Sequence, residues 1–412
     1  MKNHHTVKYA CYTANASMSV VAAISPLLFL TFHNLYGISF LQLGALVLIN
    51  FTTQLMIDLI LSFYSHKFNT SRMVKVTPSL TALGLLVYAI FPYLFPQSVY
   101  IGLVIGTIIF ASSGGLAEVL ISPVIAELPS DNPEREMSKL HSIYAWGVVV
   151  VVIFSTLFLR IFGNENWQIL ALLWVSVPLF SCFLFSRCKV PHLKTLETAS
   201  NVMDLVKNKE FQLCFFGILL GGASECTMAQ WNSSYLEQAF QIPKVWGDIF
   251  GVAMFSVMLG LGRTLYSKYG KNIYKLLCIS AMSATVCYVI AVVSTSPMVG
   301  VIACAFTGLA TAMLWPGSLI AAVDQFPKAG VAIFALMAAG GDLGAAIGPQ
   351  MVGAITDYVL SSDQASVMAR DWNMTIEQLS MKSGLLSAII FPLCATILFA
   401  VMYHRRKMVK ND

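Results

Sequence analysis

Four carboxylates stand where a chain rarely tolerates them. Asp58, Glu118, Glu225 and Asp342 fall well inside long apolar runs, whereas most of the 20 acidic residues lie in polar stretches or at the ends of runs. In GGLAEVLISPVIAEL, residues 114–128, Glu118 sits in the middle of the run and Pro123 follows it. A carboxylate near the centre of a bilayer costs about 2.5–3.5 kcal/mol, so it faces protein or a wet cavity. There it can be neutralised by a proton and recharged when solvent access changes. That exchange is the chemistry of proton coupling, and Glu118, Glu225 and Asp342 are the candidate proton-coupling residues. Pro123 lacks a backbone donor, so a kink beside Glu118 is expected. Asp58 shares its helical face with Asn50 and Gln54, and Asp342 lies in the glycine-rich AAGGDLGAAIGP, where small residues let helices approach closely.

Other polar residues repeat at helical spacing inside apolar runs. Glu225 lies in GGASECTMAQWNSSYL, where Asn232 shares its face and Trp231 flanks it. Acid, amide and indole together suit a polyol: the first two bond hydroxyls and an aromatic face stacks on a sugar ring. Thr307, Thr311, Trp315 and Ser318 form a second such face, and Tyr12, Asn15 and Ser19 a third. Glu225, Asn232, Thr311, Trp315, Asn15 and Ser19 are therefore candidate substrate-binding residues.

The elements that must position them are membrane helices. The 412 residues are 57% hydrophobic and 11% charged, against about 25% charged in soluble domains. The apolar residues form blocks of spanning length. Twelve spans are expected, at 8–33, 39–64, 74–95, 98–126, 139–162, 166–187, 209–238, 244–266, 273–294, 297–322, 328–359 and 382–404. The basic start MKNHHTVK runs into a segment long enough to stay as span one, so no cleaved signal peptide is expected. With the amino terminus taken as cytoplasmic, 21 of the 25 Lys and Arg fall on that side. The four outside are Arg160, Lys244, Arg370 and Lys382. This positive-inside asymmetry places both termini in the cytoplasm. The net charge of +5 is thus a topology signal. No basic, aromatic-interleaved patch for nucleic acid is present.

Several function classes find no support. The 9 cysteines contain no CxxC pair and read as small hydrophobes. There is no Walker A sequence, no HExxH and no GxSxG, so neither an ATP-driven pump nor an enzyme is expected. No cofactor or metal is called for. Arg263, expected at the cytoplasmic end of span eight, is the basic residue nearest the middle of a span, which disfavours anionic substrates. The outer segment SSDQASVMARDWNMTIEQLSMK carries Thr375 and Gln378 in capping-box spacing, expected to start a short loop helix.

The chain divides into residues 1–188, a cytoplasmic linker 189–208, and residues 209–412, with six spans on each side. The halves share a repeat. GLAEVLISP (115–123) in span four matches GLATAMLWP (308–316) in span ten, and SHKFN (65–69) after span two matches YSKYG (266–270) after span eight. Parallel six-span halves characterise the major facilitator superfamily, which this sequence resembles over essentially its whole length. The loop pair looks like degraded copies of that family's Gly-x-x-x-Asp-Arg signature, with His66 and Ser267 at the Asp position. AEVLISP also resembles span four of the fucose/proton symporter branch, where a Glu with a downstream Pro serves coupling and sugar binding. The resemblance implies an all-α fold of two pseudo-symmetric six-helix bundles, with spans one, four, seven and ten lining the cavity. It assigns the coupling role to Glu118 and adds Tyr144 and Trp146 of span five as binding positions. The branch usually pairs the Glu with an Asp in span one; NASMSVVAAISP (15–26) has no acid.

The function these features point to is alternating-access symport of a proton with a small neutral polar solute such as a monosaccharide. The alternative is an exporter of cationic or amphiphilic compounds, with the acids attracting the charge and the Trp residues stacking on it. Span four lacks the Arg, and span five the Gly-Pro motif, of many drug/proton antiporters. A monomer in the lipid bilayer of a bacterial inner membrane is expected.

Overall fold

The computed structural model describes residues 2–38, 40–64, 67–191, 193, 199–329 and 331–409. Ser65 and His66 of the first signature copy, part of the linker, and the extreme termini lie outside the described residues.

The described chain is 89% helical and has no strand. Among the described residues, twelve helical segments are long and apolar enough to cross a membrane: His4–Leu28, Ala45–Tyr64, Thr70–Leu94, Pro96–Ala126, Arg135–Phe162, Asn164–Ser186, Lys209–Phe240, Gly247–Tyr269, Ile273–Val293, Pro297–Gln325, Val331–Leu360 and Ile376–Lys407. They are spans one to twelve. Their outward side chains are apolar: Tyr93, Ile161 and Val293 are each more than 70% exposed. An apolar exterior over helices that satisfy their own backbone is the solution a bilayer imposes.

Several span ends differ from the sequence reading. Span twelve begins at Ile376, because the Thr375–Gln378 capping box closes on this helix and not on a loop helix. The loop helix precedes it, at Asp363–Asp371. Span four is one helix over Val99–Ala126 with Pro123 inside it. Pro123 withholds one ladder bond, from the Val119 carbonyl, and the helix continues beyond it to Ala126. The break falls in span ten, between helices Pro297–Thr311 and Leu314–Gln325.

The chain forms two compact units, residues 1–211 with 323–342, and residues 212–322 with 343–412. In the first, spans one to six and the start of span eleven share an apolar core that includes Cys11, Leu61, Val74, Leu120, Leu140, Phe185 and Ala335. Spans three and four touch at glycine: a Cβ on Gly84 would lie 2.6 Å from the Phe110 nitrogen. In the second unit, Tyr288 donates to the Ser224 carbonyl at 2.7 Å and Tyr235 to that of Ala291 at 2.7 Å. A Cβ on Gly344 would lie 2.0 Å from the Leu219 carbonyl oxygen. Small residues let helices approach where no hydrophobic drive acts between them.

Candidate functional site

In the first unit, span two carries Asp58 into the interior, with no exposed surface. Neither of its carboxylate oxygens has a hydrogen-bond partner. The charged groups within electrostatic reach are two further carboxyls, Asp342 and Glu118. Asp342 is 2% exposed, and its Oδ2 has no partner. Glu118 is half-buried on span four. Span two can approach span four because residues 114 and 115 are glycine: a Cβ on Gly115 would sit 3.0 Å from the Gln54 carbonyl oxygen, and one on Gly114 3.0 Å from Gln54 Oε1. Three acids separated by 60 and more residues in sequence thus meet in one apolar interior. Ionised together they repel, and protons relieve that repulsion.

The second unit handles charge differently. Glu225 is buried and receives both available hydrogen bonds from Arg263 Nη2, at 2.8 and 3.0 Å. Arg263 is 3% exposed. It lies towards the end of span eight, as expected, but turned inward: a buried carboxylate supplies the counter-charge that lets the guanidinium enter the interior. Arg263 Nε also donates to the Ala312 carbonyl at 2.9 Å, at the break in span ten.

Other candidates are mostly committed to helix contacts. Asn15 donates to the Leu140 carbonyl at 2.7 Å and Ser19 to that of Tyr144 at 2.8 Å, so both tie span one to span five. Tyr144 is half-buried and Trp146 exposed. Thr311 donates to Thr307 of its own helix at 2.9 Å. Trp231 donates to the Pro349 carbonyl at 2.9 Å. Asn232 differs: it is fully buried, and neither end of its amide has a partner. Trp315 lies half-buried beside the span-ten break. Among the described residues no group of His, Cys, Asp and Glu could hold a metal ion. A cavity of about 500 Å3 lies elsewhere, lined by His4, Lys8, Pro129, Asp131 and Glu136, with none of the candidate residues on its wall.

The sequence reading missed Arg263. A signal was present: Pro316 cannot donate to Ala312, four residues earlier, and a buried carbonyl without a donor requires another.

Comparison with known proteins places this architecture. The pattern of the Major Facilitator Superfamily matches residues 10–349. No curated protein sequence matches the chain. Among solved structures it is similar to the E. coli fucose:proton symporter FucP, at 13% identity and a TM-score of 0.69, covering 95% of this chain and 99% of that one. It is also similar to the proton:xylose symporter XylE bound to 6-bromo-6-deoxy-D-glucose, at 15% identity and a TM-score of 0.65, covering 96% of each chain. Twelve spans, a repeated Gly-to-Pro segment and a family match over most of the sequence agree: the chain belongs to the Major Facilitator Superfamily, a family of membrane transporters and not of enzymes.

Proposed function

We propose that this transporter carries a small neutral polar solute, such as a monosaccharide, together with a proton, by alternating access. One observation carries the reading: Asp58, Glu118 and Asp342 converge in an apolar interior where the charges that reach Asp58 are the other two acids. Such a group changes charge by taking up or releasing protons as solvent reaches it. With the acids protonated and a neutral solute bound, the loaded site is uncharged and re-orients cheaply; with bare carboxylates, re-orientation would drag charge through a dry gate. Glu118, half-buried, is the member placed to exchange with solvent. Asn232 and Trp315 are the binding groups with the strongest case: a buried amide awaiting partners suits hydroxyls, and a half-buried indole suits a sugar face. The likeness to FucP and XylE supports the substrate class. The charge distribution along the sequence supports cytoplasmic termini; the compact loops suit a bacterial inner membrane, and the internal repeat supports two six-span halves, 1–188 and 209–412, joined by the linker 189–208.

The test is uptake into proteoliposomes of a panel of labelled sugars, with and without an inward proton gradient, in the parent protein and Glu118→Gln. The reading requires accumulation driven by the gradient in the parent. In Glu118→Gln, accumulation should be lost while sugar exchange persists. Absence of sugar uptake refutes it. The same acid cluster would also attract an organic cation, and dye efflux on expression would then identify an exporter.

A further inference from the structure

Proline at position 316 leaves the carbonyl of Ala312, one turn earlier, without its helical donor. The chain there leaves the helix for two residues, Ala312 and Met313, between Pro297–Thr311 and Leu314–Gln325. In most membrane helices water or a hydroxyl repairs such a gap. Here the donor is Arg263 Nε, at 2.9 Å from the Ala312 oxygen. The guanidinium is in turn held by Glu225, through Nη2, at 2.8 and 3.0 Å. Helix contact delivers it: a Cβ on Gly262 would lie 2.6 Å from the Ala312 Cβ, so spans eight and ten touch one residue from Arg263.

We propose that Arg263 is the positioning residue of span ten: it supplies the hydrogen bond that Pro316 cannot, and with Glu225 as counter-ion it fixes the break from which Thr311 and Trp315 are presented. Glu225 is thereby a fixed partner of Arg263, and proton exchange belongs to the acids of the first unit. The functional side of this inference rests on the reading that span ten lines the solute site. Its structural side does not.

Two measurements on the full chain in detergent and liposomes decide it. The first is a double-mutant cycle of melting midpoints between Arg263→Met and Pro316→Ala, made on Glu225→Gln so that no carboxylate is left unpaired. On this background Arg263→Met also removes an unpaired buried charge, so the coupling is what counts: Pro316→Ala restores a backbone donor to Ala312, and Arg263→Met should then change the midpoint more favourably with alanine at 316 than with proline; additive effects overturn the donor role. The second is the fluorescence of Trp315, taken as the difference between each protein and its Trp315→Phe counterpart. Arg263→Met with Glu225→Gln should shift that signal, and Arg263→Lys, which keeps a charged donor beside Glu225, should return it towards the parent. An unchanged Trp315 signal overturns the positioning role. Should the parent transport a sugar, the neutral pair should raise KM about tenfold, the equivalent of one charge-assisted hydrogen bond, with the maximal rate little changed. Should it transport none, the symport reading fails while the cycle and the fluorescence still judge Arg263.

Discussion

Replacing Gly308 by alanine tests how tightly spans eight and ten are joined. Gly308 opens the repeated segment in span ten, and a Cβ there would stand 2.1 Å from the Phe255 carbonyl oxygen and 2.9 Å from its carbon. Ordinary contact begins near 3.4 Å. Span eight must therefore retreat by more than an ångström, and the atom in the way is backbone, which cannot rotate aside. Overpacking of this kind costs about 1–3 kcal/mol, offset by the roughly 1 kcal/mol that alanine gains over glycine in a helix. Gly115, the matching residue of span four, is the internal control. Its Cβ would meet the Gln54 carbonyl oxygen and the Ile57 Cβ at 3.0 Å, so a shift of a few tenths of an ångström suffices. Steric cost and helix gain should there nearly cancel. Melting of the detergent-solubilised protein should rank Gly308→Ala clearly below the parent, with Gly115→Ala close to it. Because the same pair of spans holds Arg263 on Ala312, Gly308→Ala should also shift the Trp315 emission. The reasoning fails if Gly308→Ala melts with the parent, or if both alanine variants fall equally.

Three further substitutions follow from how charge is buried. Asp58→Asn removes one of three mutually repelling acids, so its melting midpoint at alkaline pH should equal or exceed the parent's; a clear fall would show that the carboxylate has a stabilising partner. Glu225→Gln leaves the Arg263 guanidinium buried without its counter-charge, a loss of about 3–5 kcal/mol. Thermal melting should show that loss largely recovered when Arg263→Met is added, and no recovery would place the damage elsewhere. Lys382 is buried, and its ammonium donates to the Val292 and Ser294 carbonyls at 3.1 and 2.6 Å beside the Phe240 ring. Lys382→Met should therefore destabilise by about 1–3 kcal/mol, measured by melting, where an exposed loop lysine would give no change.

The helices were legible because each is an apolar block of bilayer length, and burial against lipid demands little else of a sequence. The repeat was legible for a related reason: Gly115 and Gly308 meet the neighbouring spans two and eight at closely comparable places, so close packing fixes the same residue in both copies. Pairings were far less legible. Asp58, Glu118 and Asp342 could be picked out individually as costly residues, but apolar stretches of similar composition do not state which helix faces which. Pro123 and Pro316 occupy the same place in the repeat, yet only span ten breaks. The difference lies on another helix. Arg263 offers the Ala312 carbonyl an alternative donor, and nothing near Pro316 in sequence announces it. The partners of Lys382 were hidden for the same reason: the carbonyls ending span nine are remote along the chain.

The two copies of the repeat also treat charge in opposite ways, and this bears on coupling. In the register that aligns Lys67 with Lys268, Arg263 of span eight corresponds to Ser62 of span two, and Asp58 corresponds to Leu259. Ser62 merely donates to the Asp58 carbonyl of its own helix at 2.7 Å. In the register of the Gly-to-Pro segment, Glu118 corresponds to Thr311. The first unit thus gathers acids around Asp58, and the second closes its acid with a guanidinium. A carboxyl among carboxyls changes charge by exchanging protons, whereas a carboxylate bound twice by arginine has a fixed counter-charge beside it. Under the proposed symport, substitutions at Asp58, Glu118 or Asp342 should therefore alter how uptake depends on the proton gradient, and those at Glu225 or Arg263 how tightly the solute binds. A Glu225→Gln protein that lost gradient dependence yet bound solute normally would invert that division and return proton coupling to the second unit.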